Sequence, residues 1–460
     1  SAANLYTSTT FVNGATLTAG VSNALSSGGV TMRSGLYDLN GNSDTVGAIS
    51  LTGSTISTGA GTLTGNGSFT TATNANFASI ITGNLGLGAN ATFTIGDGLM
   101  DNDAVISAVI SGGFTFGKAG AGVLELSNSN TFSGITTISA GILRLGTAGG
   151  GTNTPLGTTA GGTVVTGASS ALDLNGFTLG TAEGLTLSGA LATGALQNTS
   201  STAVSYSGQI ILGAASTLIA NYGDINITAT GNTTGTFNLT IGGAGNGTFA
   251  SNLNTSTGTL TKNGLGRWTL SGGASTYTGL TTISAGTLKL GSAGSGSNTP
   301  LGTVAGGVTV TSGAIFDLNG FTLATAEPIG SLNGTGIANI GAFINSSNNS
   351  VSYSGALTLG AASRVVNYGT GTMTVSGNIA GNFALTIVTV GNFTQATNSV
   401  RSGTSTIIKE GSGTLILAGQ NTFTGAITVS TGTLKLGANG GVTNTPLGTI
   451  AGGVTVSAGA

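Results

Sequence analysis

Three aspartates, Asp97, Asp101 and Asp103 in the string IGDGLMDND, form the only acidic cluster in the sequence. Carboxylates and carbonyls gathered on one loop suit a hard cation such as Ca²⁺. The spacing fits neither an EF-hand nor a Gly-rich nonapeptide repeat, so the plainer reading is a polar loop. Glu125 and Arg144 supply the acid and base that a lyase or glycosidase would need close together. The chain contains no His and no Cys, which excludes Ser-His and Cys-His nucleophilic mechanisms. The Gly-rich string GTAGGGTNTPLG (Gly146–Gly157) lacks the Gly-Lys-Ser/Thr ending and following helix of a phosphate loop. The expectation is therefore no enzyme, no catalytic residue, no bound cofactor, and a single weak metal candidate at the three aspartates.

The other charges argue the same way through their spacing. Lys118, Lys262 and Lys409 recur at matching positions, as do Arg144, Lys289 and Lys435, then Asp38, Asp173 and Asp317, and finally Glu183 and Glu327. A catalytic site occurs once, whereas a charge repeated with the chain belongs to the scaffold. These residues are expected on solvated faces and in turn contacts. On that reading Asp173→Asn changes stability by no more than about 0.5 kcal/mol, as at an ordinary surface position. Leu174→Asp, by contrast, buries an unpaired charge.

Those positions recur because the sequence itself does. TFSGITTISAGILRLG (Thr131–Gly146) returns as TYTGLTTISAGTLKLG (Thr276–Gly291) and as TFTGAITVSTGTLKLG (Thr422–Gly437). NTPLG begins at Asn153, Asn298 and Asn444, and the DLNG string ends at Gly41, Gly176 and Gly320. The long unit thus spans roughly 145 residues, a period typical of stacked repeat architectures only when subdivided into shorter turns. The boundaries read as a divergent first repeat at 1–117, full repeats at 118–261 and 262–408, and a partial repeat at 409–460, all in one continuous solenoid.

Composition decides what these units are made of. Of 460 residues 85 are Gly and only 22 are charged, with a net charge of −2. The mean hydropathy of +0.36 is that of a chain that buries apolar surface rather than a disordered one. Interior glycines cost a helix up to ~1 kcal/mol each, and Gly184, Gly189 and Gly194 break up the best helical candidate, Thr181–Gln197. Short alternating segments bounded by Gly, Asn and Ser, such as GVLELS, ALDLN and FNLTIGG, read as strands. Asn-Gly at 40–41, 175–176 and 319–320 supplies positive φ for tight turns. Within the strands, Leu143 and Leu145 face one side and Arg144 the other. Trp268 takes the slot of Leu124 and Leu415, a core position. A turn of roughly 25 residues cannot offset its ordering entropy alone, so turns must stack. The expected fold is all-β, a right-handed parallel β-helix (β-solenoid), in preference to a propeller.

The pattern Gly-x-Gly-x-Leu-x-Leu, then Thr-Phe/Tyr-Ser/Thr-Gly-x-Thr-x-Ile/Val-Ser-x-Gly-x-Leu-x-Leu-Gly, resembles the autotransporter-associated β-strand repeat. It is carried by Gly120–Gly146, Gly264–Gly291 and Gly411–Gly437. The resemblance implies a large, secreted, surface-exposed passenger of a Gram-negative bacterium. It implies an architecture and an export class without fixing a ligand. The absence of Cys agrees with this setting. Ten scattered basic residues make no nucleic-acid footprint, and no apolar run is long enough for a transmembrane helix. The expected role is a structural or adhesive cell-surface fibre. Its partners would be further repeats of the same polypeptide, copies joined end to end, or surface glycans and other cells. The alternative is a Thr/Asn-rich face, as at Thr309-Val310-Thr311, that binds carbohydrate or ice.

Overall fold

Alternating Val/Ile/Leu/Thr segments of three to five residues are too short to stand alone, and in the protein most are held on both edges by strands of the preceding and following turns. A computed structural model describes residues 4, 6–72, 77–189, 191–441, 444–449 and 452–460. Apart from the short antiparallel pair Asn153–Thr154 and Gly157–Thr158, the strands run parallel and stack in β-solenoid turns, about 19 in all. Two compact units divide the chain, Ser1–Gly231 and Asn232–Ala460.

In the first unit, ten strands from Thr10–Asn13 to Ile210–Leu212 stack in sequence order into one parallel sheet. In the second, Leu239–Gly243, Leu260–Lys262, Thr281–Ile283 and Val308–Val310 pair in succession. Ile407–Glu410, Ile427–Val429 and Val454–Val456 do the same. The length of a turn varies. Val30 pairs with Ile49, 19 residues on, whereas Gly141 pairs with Ser170, 29 residues on. The surplus residues form outer loops.

Inward side chains stack in columns because parallel register places like on like. Phe69, Phe93, Phe116 and Phe132 form a run of stacked rings with centroids 4.3, 4.6 and 5.4 Å apart. Trp268 is fully buried, and its indole N–H donates to Gly242 O at 3.1 Å. Leu143 and Leu145 are buried as their alternation requires. The strands Ser170–Asp173 and Ala314–Asp317 are instead buried on both faces. Behind the second of these, Ile315, Ile344 and Val366 form an outer apolar cluster. It is roofed by the loop carrying the 3₁₀ turn Ile337–Asn339, where Gly341 lies so close to Val366 and Ile344 that a Cβ would clash with them. Among the described residues no helix is long and apolar enough to cross a membrane.

Candidate functional site

The matched lysines lie inside the protein. Lys118, Lys262 and Lys409 are each fully buried, which corrects the expectation of a solvated face. Their strand parity explains it: Lys262 sits two residues after inward Leu260, and Lys409 two after Ile407. An ammonium has three hydrogens and no acceptor, and each finds three carbonyls. Lys118 Nζ donates to Ala119, Gly120 and Ala140 O at 3.0, 2.8 and 2.9 Å. Lys262 Nζ donates to Asn263, Gly264 and Ala285 O at 2.6, 2.8 and 3.0 Å. Lys409 Nζ donates to Glu410, Gly411 and Thr431 O at 2.8, 2.8 and 3.1 Å. The carbonyls come from two consecutive turns of the solenoid, so each lysine ties one corner to the next. Burial pushes Lys118 and Lys262 down to about 8 and lowers Lys409 as well.

Two of the three DLNG aspartates, Asp173 and Asp317, are also enclosed. Asp173 is fully buried, which corrects its outward, solvated placement. Arg144 Nε donates to it at 3.1 Å, as do Thr199 Oγ1 at 2.6 Å and the Asn175 and Thr199 N–H groups at 3.0 and 3.2 Å. Asp317 repeats the arrangement with Lys289 at 3.7 Å, Ser346 Oγ at 2.7 Å and the Asn319 N–H at 2.8 Å. The alternation placed Asp173 on the outer side correctly, but the Thr199 segment covers that side. The expected cost of Asp173→Asn consequently rises to about 2 kcal/mol, the scale of losing charged partners in a buried hydrogen-bond set. Thermal unfolding of the variant measures it, and a melt unchanged from wild type contradicts the enclosure.

Glu183 and Glu327 occupy a third matched niche. Thr154 and Thr163 hydroxyls each donate to the Glu183 carboxylate at 2.9 Å. Thr299 and Thr325 lie 3.2 Å from one Glu327 oxygen, and the other Glu327 oxygen has no partner among the described residues. Thr299 Oγ1 also lies 3.3 Å from Gly302 O, and a hydroxyl has one hydrogen to give. An ionised Glu327 therefore competes with that carbonyl. Burial raises Glu183 and lifts Glu327 to about 7. Tyr206 and Tyr353 hydroxyls close the niches by donating to the Glu183 and Glu327 backbone carbonyls. Thr154 and Thr299 belong to NTPLG, so the Gly-rich string that superficially suggested phosphate binding is a turn that houses a carboxyl group.

Arg401 is the exception to these matched sets. Its backbone N–H donates to Asn421 Oδ1 as that of Ile110 donates to Asn130 Oδ1, which puts Arg401 in an apolar slot. It is 1% exposed, one guanidinium nitrogen donates to Ser405 Oγ at 2.6 Å, and Nε and Nη1 have no partner among the described residues. The guanidinium carbon lies 5.7 Å from the Phe423 ring centroid. Burial pushes it down to about 10. Arg401→Leu is expected to stabilise the second unit by about 1–3 kcal/mol, as when buried charges give way to apolar side chains. Urea unfolding checks this, and a destabilised variant refutes it.

Asp97, Asp101 and Asp103 do not converge. Both carboxylate oxygens of Asp103 accept backbone N–H groups, from Gly98 at 2.7 Å and Val123 at 2.8 Å. Asp101 contributes its carbonyl to Arg144 at 3.0 Å. Among the described residues no group of three His, Cys, Asp or Glu is placed to hold a metal ion. Glu125 accepts from Asn102 Nδ2 at 2.8 Å and Ser127 Oγ at 2.6 Å, while Arg144 turns to Asp173 and to Asn102 Oδ1 at 2.8 Å. The acid and base are thus bound into a loop clamp.

One outer face is ordered differently. In the second unit Thr240, Thr261, Thr282, Thr309 and Ser331 stand in register on five successive strands, making a hydroxyl ladder one residue wide. Beside it, Ser284 and Thr311 hydroxyls turn back onto the carbonyls of Lys262 and Ile283 at 3.0 and 3.1 Å. The equivalent column of the first unit, Thr92, Gly117, Thr137, Val164, Thr186 and Ile211, is interrupted.

The fold and its recurrent buried charges define a scaffold-type parallel β-solenoid. Three segments, residues 116–145, 260–290 and 407–436, match the passenger-associated-transport-repeat, so the chain carries this autotransporter-associated repeat three times. Each match contains one of the caged lysines. No curated protein and no solved structure matches the chain.

Proposed function

We propose that this chain is a structural segment of a secreted, cell-surface passenger of the autotransporter type, and that it is not an enzyme. The supporting observation is the threefold recurrence of one lysine cage inside each copy of the passenger repeat. Buried charge that recurs identically serves the turns, and turnover chemistry needs a site that differs from its repeats. The partners under this reading are further repeats or copies of the chain. An antibody raised against the chain is expected to label intact cells of the source organism. Labelling only after permeabilisation overturns the reading.

The hydroxyl ladder Thr240–Ser331 favours adhesion to carbohydrate as a second reading. Its single width makes it a poorer match for ice, whose surface repeats in two dimensions. A glycan array separates them: binding lost in a Thr282→Val, Thr309→Val variant supports carbohydrate, and thermal hysteresis without glycan binding supports ice.

A further inference from the structure

The Asn-Gly turns of the three DLNG strings occupy the same place in their repeats, and two of them are locked. Asn175 Nδ2 donates to Leu145 O at 3.0 Å, and the following Gly176 N–H donates to Asn198 Oδ1 at 3.0 Å. Asn319 and Gly320 repeat this with Leu290 O at 2.9 Å and Asn345 Oδ1 at 2.9 Å. In both turns the DLNG aspartate is itself fixed by a cation and a hydroxyl, Arg144 and Thr199 or Lys289 and Ser346.

The first turn has the same backbone, with Asn40 at φ 50° and Gly41 at φ 79°, and among the described residues none of these locks. The pairing of Leu39 N–H with Ser57 O, equivalent to Leu174 with Gln197 and Leu318 with Ile344, fixes the correspondence. It puts Thr58 where the other copies have Asn198 and Asn345. The Thr58 hydroxyl accepts the Asn84 N–H at 2.7 Å and leaves Gly41 N–H without a partner among the described residues. The carbonyl equivalent to Leu145 O belongs to Ala19, and it accepts from Asn42 Nδ2 at 3.2 Å rather than from Asn40. Thr18 pairs with Asp38 where the other copies offer Arg144 and Lys289, and Gly59 stands in place of Thr199 and Ser346. Asn40 and Gly41 are both exposed.

We propose that Asn40 is a site of spontaneous deamidation, and that Asn175 and Asn319 are protected by the locks it lacks. The Gly41 backbone nitrogen gives its proton to solvent base and attacks Asn40 Cγ. A C–N bond forms, the Cγ–Nδ2 bond breaks, and ammonia leaves. Water then opens the succinimide at either carbonyl, giving aspartate or isoaspartate and one new negative charge beside Asp38. Glycine suits this step because it has no side chain to crowd the attacking nitrogen and its backbone rotates readily. At Asn175 and Asn319 the attacking nitrogen and the leaving amide are each tied up in a hydrogen bond that must break first. Two such bonds slow the step by roughly tenfold or more.

The test is peptide mass spectrometry of the intact folded protein held in mildly alkaline buffer. Deamidation at Asn40 at least about tenfold faster than at Asn175 and Asn319 is the expected result, with the three rates converging in strong denaturant. Equal rates in the folded protein overturn the proposal. The Asn198→Thr variant copies the open turn, and its Asn175 rate is expected to rise while that of Asn319 stays low. An Asn175 rate unchanged in a folded Asn198→Thr protein overturns the assignment of protection to that lock.

Discussion

Replacing Lys262 with methionine is expected to destabilise its corner of the solenoid by at least about 3 kcal/mol, since three buried carbonyls lose their donors at about 1–3 kcal/mol each. Methionine has nearly the same length and packs among Ile283 and its neighbours, so the loss isolates hydrogen bonding from cavity formation. The affected groups are Asn263, Gly264 and Ala285 O. Gly286 lies against this cage at φ 66°, where a Cβ would run into Gly264 O and Gly266 O as well as Lys262 Nζ. Solenoid turns couple mainly to their nearest neighbours, and hydrogen exchange should therefore accelerate around residues 260–290 and leave the matching turn at Lys118 protected. A second signature comes from pH. The folded-state value of about 8 lies below that of an unfolded lysine, so the folded protein binds fewer protons between about pH 8 and 10. Stability then rises with pH in that window. The Lys262→Met protein should show a shallower rise than wild type. A variant with wild-type exchange and an identical slope would sink the cage as a structural determinant.

The solenoid is legible in the amino-acid sequence to a large extent. Turn-by-turn alternation, the threefold long unit and the Asn-Gly corners point to stacked parallel strands, and Trp268 sits in the core slot shared with Leu124 and Leu415. The charges are harder to read. Parity with Leu260 and Ile407 places Lys262 and Lys409 on the inner side, against the general expectation that charge seeks water. What makes the inner site tenable is a set of carbonyls from the following turn, such as Ala285 O, contributed 23 residues away. Strand alternation carries no record of such partners. Asp173 shows the converse. Alternation says which side of a strand a residue leaves from, and it cannot say that Thr199 covers that side. Arg401 has a signal in its alignment with Ile110, visible only once the backbone pairing fixes the register. The acidic loop looks like a cluster because Asp97, Asp101 and Asp103 are near in sequence, yet Asp103 spends its oxygens on Gly98 and Val123 N–H groups.

Acidification is expected to strengthen the Glu327 niche. The carboxyl is buried, one of its oxygens has no partner among the described residues, and its folded-state value of about 7 stands above the ordinary carboxylate value. Between about pH 4.5 and 7 the folded protein therefore holds a proton that the unfolded chain has released. The stability this provides is complete below the unfolded value and is lost as pH rises through the folded one. The loss amounts to about 3 kcal/mol. Protonation also resolves the contest for the Thr299 hydrogen, because the acid can donate and the hydroxyl can then serve Gly302 O. The groups facing the niche are Tyr277 and Tyr353, both of which burial and Glu327 keep protonated far above this window. Glu183, raised by the same burial, adds to the trend from the first unit. The informative quantity is the difference between wild type and Glu327→Gln, which removes this titration and leaves every other carboxylate in place. Chemical denaturation at pH steps from about 4.5 to 8 should show wild type losing stability relative to the variant as pH rises. A difference that stays flat, or that grows in favour of wild type with pH, would mean that Glu327 is ionised in the folded protein and that its second oxygen has found a partner.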